Sequence, residues 1–111
     1  MTDELSKSER LALERAWETP FPFEVTSFLL DPIIVETVAV GWIHRHVKAN
    51  PLTGRFADGN LIHTSYVVGY VEHDGFLVLI TRNSAYVCVV GDVEKLILMR
   101  GIEALPKQTY H

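Results

Sequence analysis

A single cysteine, Cys88, excludes any disulfide within the chain, so the fold has to hold without a covalent staple. It stands between Val87 and Val89, a setting that suits core packing and disfavours a reactive thiolate. No stretch approaches the ~18 uninterrupted apolar residues of a membrane span. The opening MTDELSKSERLALERAW is charged throughout and lacks the apolar segment of a secretory signal; the expected location is cytoplasmic, with no membrane partner. Also missing are C-x-x-C pairs, a G-x-S-x-G elbow, and glycines at phosphate-loop spacing before Lys-Ser or Lys-Thr. No cofactor and no enzymatic activity are expected from motifs alone. A strong net charge is lacking too: −4 is neither the balance of a basic DNA-binding chain nor that of an acidic nucleic-acid mimic.

The chain has ample apolar material. A 48% hydrophobic and 22% charged composition belongs to a folded protein rather than a disordered one, and 111 residues suit a single domain, 1–111. Its expected parts are a helical and extended N-terminal region (1–32), a β-sheet core (33–91), and a short helix with a tail (92–111). Charge is distributed in two halves. Residues 1–36 carry eight acidic and three basic side chains, whereas 37–57 hold Arg45, Lys48 and Arg55 with no Asp or Glu.

Ser6 and Glu9 stand at capping-box spacing and predict a helix over 6–18, with Leu13, Ala16 and Trp17 as its apolar stripe. Pro20 and Pro22 then hold the chain extended and project Phe21 and Phe23. Asp31 and Pro32 interrupt the apolar run 25–30 and restart the chain. The β-branched segment 33–47 predicts one long, bent strand through Gly41, the competing reading being a helix over 32–40 capped by Asp31. A loop rich in Gly, Pro, Asn and Asp follows over 48–60, a length at which loops are often functional. The block 60–91 predicts a meander of strands over 61–72, 76–81 and 85–90, turning at Asp74-Gly75 and at 82–84, with Gly69 as a bend. Asp92 and Gly101 bracket a short helix over 93–100. The expected fold class is α+β, mostly β: an antiparallel meander curled into a small, SH3-like, partly open barrel with an N-terminal and a short C-terminal helix.

His44 and His46 form an H-x-H pair that an alternating strand would place on one face, and His63 on the next strand could join them as a third zinc ligand. The absence of any further ligand motif favours solvent-facing histidines, and no metal is expected. Thr64, Ser65 and Ser84 read as cross-strand contacts rather than nucleophiles. Arg45, Lys48 and Arg55 beside Trp42, Phe56 and Tyr66 would suit weak, salt-sensitive binding of a single-stranded nucleic acid. Large aromatics and Arg also dominate protein interfaces, which nominates Arg45, Lys48, Arg55, Phe56, Asp58, Trp42, Phe21 and Phe23 as partner-binding residues.

Across 54–86, Gly54, Arg55, Phe56, Asp58, Gly59, Thr64, Ser65, Thr81, Asn83, Ser84 and Tyr86 make a G-R-F-x-D-G, T-S, T-R-N-S-x-Y pattern. It resembles small proteins of phages, prophages and plasmids. The resemblance implies a small β domain from a mobile element, a non-enzymatic regulator or inhibitor of a host protein or complex, host defence being one such target. A four-stranded sheet would also leave an edge that pairs readily with its twin, so a homodimer stays open.

Overall fold

A computed structural model describes residues 5–90, a helix followed by six strands in one sheet. The predicted helix over 93–100 lies outside the described residues. Helix α1 spans Lys7–Glu18, and the capping box forms as expected: the Ser6 hydroxyl accepts from the Glu9 N–H while the Glu9 carboxylate accepts from the Ser6 N–H. Leu13 and Ala16 are fully buried. With Trp17 packed beside them, they lay the predicted stripe on the sheet.

The strands are β1 (Ser27–Val35), β2 (Val38–His44), β3 (Leu61–His63), β4 (Val67–His73), β5 (Phe76–Thr81) and β6 (Ala85–Val89). The expected single meander is corrected. The order is β3-β2-β1-β6-β5-β4, two three-strand meanders joined by a parallel β1·β6 pair, and the sheet is not closed into a barrel. The reason lies in Ala85–Val89, every residue of which is buried. A run apolar on both faces belongs at the centre of a sheet, not at the end of a meander.

The long strand over 33–47 is also corrected, together with its helical alternative over 32–40. Val35 pairs with Val38 across a two-residue turn in which Glu36 adopts φ 55°, so β1 and β2 form a hairpin. β1 itself begins earlier than expected and runs through Asp31 and Pro32, because those two residues form a bulge opposite Gly41 rather than a restart. Proline has no N–H to give a ladder, and a bulge is where a strand tolerates it. Gly41 is required there: a Cβ would stand 2.8 Å from Leu29 Cγ.

The predicted strand 61–72 is divided between β3 and β4, which occupy opposite edges of the sheet yet are joined by 64–66 alone. Six flat strands would hold those edges about 24 Å apart, further than the ~15 Å that three linking residues can reach. The sheet therefore curls, and the Val67 N–H at the start of β4 donates to the Thr37 carbonyl in the β1–β2 turn at 2.6 Å. Two apolar clusters result. Leu13, Ala16, Leu30, Phe76, Val78 and Val87 pack between α1 and one face, while Leu29, Ala39, Ile43, Leu79, Tyr86 and Cys88 fill the other. The β4–β5 and β5–β6 turns fall where the sequence predicts them, Asp74 and Gly75 both taking positive φ.

Candidate functional site

The connection from β2 to β3 is the most irregular described segment, and it is tied down at many points. Arg45 (φ 54°) turns the chain out of β2, and its N–H donates to Asp58 Oδ1 at 2.7 Å. The Val47 N–H donates to the Thr26 carbonyl, fastening the loop to the segment before β1. Asn50 organises the tip. Its side chain accepts from the Leu52 N–H, its carbonyl accepts from the Gly54 N–H, and its own N–H donates to the Arg55 carbonyl. The return is closed by the Gly59 N–H donating to the Ile43 carbonyl and the Asn60 amide donating to the Gly54 carbonyl. Gly54 and Gly59 both require positive φ, a conformation glycine adopts without a Cβ clash.

At the base, the His46 and Phe56 rings stack in parallel, 4.2 Å apart and tilted by only 8°. His46 Nδ1 accepts the Lys48 N–H at 3.0 Å, which fixes the neutral ring with its proton on Nε2. Burial lowers its pKa, and the Lys48 charge lowers it further. Arg55 lies over Phe56, 5.1 Å from the ring centre. Lys48, Asn50, Arg55 and Phe56 line a cleft of about 360 Å³. Leu52 stands 94% exposed on the same loop.

The eight nominated residues therefore separate. Lys48, Arg55, Phe56 and Asp58 belong to the loop, Asp58 as its fastening. Arg45 is stacked on Trp17 of α1, 3.9 Å from the ring centre. Phe21 and Phe23 are half-buried against the cluster under α1, where Phe21 also contacts Phe28, Phe76 and His73. Trp42 is 41% exposed on β2, directly across from Leu61 of β3. Asn50, Leu52 and His46 were not nominated for partner binding. The signals for the first two are Asn50-Pro51 and a lone leucine within a polar loop.

The premise of a histidine cluster is corrected. β2 ends at His44, and the positive φ of Arg45 breaks the alternation that would have put both rings on one face. His44 sits beside Phe28, whereas His46 faces Phe56 and Tyr86. His63 pairs with Val40, four residues from His44 and so about 13 Å along the strand. Among the described residues no three His, Cys, Asp or Glu side chains are grouped to hold a metal ion. The His44 Nε2 is buried with no hydrogen bond among the described residues; desolvation lowers its pKa against the opposing pull of Asp58 and Glu9. Of the candidate hydroxyls, Thr64 is structural: its Oγ1 accepts from the Ala39 N–H and donates to the Ser65 carbonyl. Among the described residues no helix is long and apolar enough to cross a membrane. No family model, curated protein or solved structure matches the chain.

Proposed function

We propose that the protein is a non-catalytic binding module, encoded by a mobile element, whose curled, SH3-like sheet presents the 48–60 loop to a host protein it regulates or inhibits. The observation that carries this reading is Leu52, 94% exposed on a loop fastened on both flanks by hydrogen bonds. Ordering an interface loop on binding costs about 0.5–1.5 kcal/mol per immobilised side chain, and a loop already held in shape avoids much of that cost. An exposed leucine on the loop that carries Lys48 and Arg55, within the acid-free run 37–57, suits an apolar socket rimmed by carboxylates.

Affinity capture from host lysate, with and without nuclease, tests the reading. The expected result is a stoichiometric protein that survives nuclease and is lost with Leu52→Asp. Capture indifferent to Leu52→Asp, or turnover of a small molecule by protein that captures nothing, overturns it.

The cleft of Lys48, Asn50 and Arg55 favours a second reading, binding of a nucleic-acid strand. Phe56 is a poor platform for a base, since His46 covers one side of its ring and Arg55 also lies over it. Binding that ignores simultaneous Arg45, Lys48 and Arg55→Ala changes would remove this alternative.

A further inference from the structure

Three interactions of the loop converge on one residue. His46 stacks on Phe56, its Nδ1 accepts the Lys48 N–H, and its carbonyl accepts the Ala49 N–H. The residue is 7% exposed, so water has little access to substitute for a lost partner. Adding a proton to Nδ1 would aim an N–H at the Lys48 N–H, donor against donor. The bond cannot survive that: a partial turn of the ring breaks the parallel stack, and a half-turn keeps the stack but leaves the Lys48 N–H facing a ring carbon, so the loop loses that fastening either way.

We propose that His46 is a proton-operated latch: neutral, it holds the 48–56 loop in its binding shape, and protonated, it releases it. The proposal deepens the reading above and rests on that loop being the binding element.

The surrounding charges favour the neutral, closed state. Lys48 lies beside the ring within the loop, Arg55 lies over the Phe56 ring stacked against it, and Arg45 precedes it in the chain. From β6 the neighbour is the Tyr86 ring, 6.5 Å away. The nearby carboxylate, Asp58, is engaged with the Arg45 N–H and acts on His44 rather than on His46. Opening relieves both burial and the push of Lys48, so the open loop binds the proton more tightly and acid drives opening.

The test is hydrogen exchange on the isolated protein from pH 7.5 to 5, corrected for the intrinsic pH dependence of amide chemistry, alongside ¹⁵N shifts of the His46 ring. The expected result is an Nε2–H tautomer at pH 7.5, with protection of the Lys48, Asn50 and Gly54 amides falling by up to about tenfold per pH unit below 6.5. The β6 amides, which exchange only through global unfolding, stay far better protected than the loop amides at every pH. His46→Asn, which offers an oxygen that cannot titrate, should abolish the response, and His44→Gln should retain it. An Nδ1–H tautomer, pH-independent loop protection, or a response that follows His44 overturns the latch. Because no partner is involved, a failed capture experiment with a responsive loop would remove the binding function and leave the latch standing.

Discussion

Gly41→Ala adds one methyl group at the most crowded point of β2. The new Cβ would lie 2.8 Å from Leu29 Cγ, 3.1 Å from Leu29 Cδ1 and 3.2 Å from the Leu30 carbonyl oxygen. Carbon atoms pack favourably at about 3.5–4.0 Å, so the nearest contact must open by roughly 0.7 Å. Leu29 has little freedom to retreat, being fully buried among Ala39, Ile43 and Leu79. Overpacking of this kind costs about 1–3 kcal/mol, and replacing a strand glycine returns about 0.5–1 kcal/mol of unfolded-chain entropy. The net expectation is a loss of about 1–2 kcal/mol, read as a lower urea midpoint at unchanged m-value. At about 5 °C per kcal/mol, Tm falls by about 5–10 °C. Leu29→Ala alone should cost about 2–5 kcal/mol. In that background both Leu29 contacts are gone and only the 3.2 Å approach to the Leu30 carbonyl remains, so Gly41→Ala should cost much less than in the native background. An equal penalty in both backgrounds would refute the steric account and point to the backbone at the Asp31–Pro32 bulge instead.

Three further outcomes follow from described contacts. Ser6→Ala removes the hydroxyl half of the capping box and should cost about 1 kcal/mol in urea unfolding, with α1 amides exchanging faster than the strands. Stability should fall as the pH is lowered below 6.5. Burial depresses the folded-state pKa of both His44 and His46, so the unfolded chain takes up protons first, and the loss levels off below the folded-state values; urea midpoints at pH 7.5, 6.5 and 5.5 read it. Native Cys88 should resist a thiol reagent at pH 8 and react fully in denaturant, since burial pushes its pKa up to about 12.

Features decided within a few residues of chain were legible in the sequence. The Ser6–Glu9 box, the Asp74-Gly75 turn and the bounds of β5 are local chemistry, and each appears where expected. The misread segments turned on non-local pairing. Glu36 and Thr37 contain no glycine, so the tight turn between β1 and β2 was hidden inside a β-branched run. Asp31-Pro32 reads as a break, and only the pairing of Leu30 with Trp42 and Ile33 with Val40 reveals a bulge. The unbroken run Ala85–Val89, without a charged residue, is the sequence clue to a central strand, but which strand covers its open edge is not encoded locally. For the site, composition picked out the 48–60 loop. The role of His46 depended on the positive φ of Arg45, which no periodicity announces.

The parallel pairing of β1 with β6 has a kinetic consequence. Ser27 meets Tyr86 across about sixty residues of chain, whereas every other strand pair joins neighbours in sequence. Each meander can zip from its own turns at small entropic cost, but the seam between them closes only after a long loop has been drawn together. Joining of the two halves is then the slow event in folding, and until it occurs the apolar β6 lies as an open edge. A ribosome releasing the chain after residue 63 would have delivered one complete meander and no partner for it, which makes the second half of the sequence the chaperone of the first.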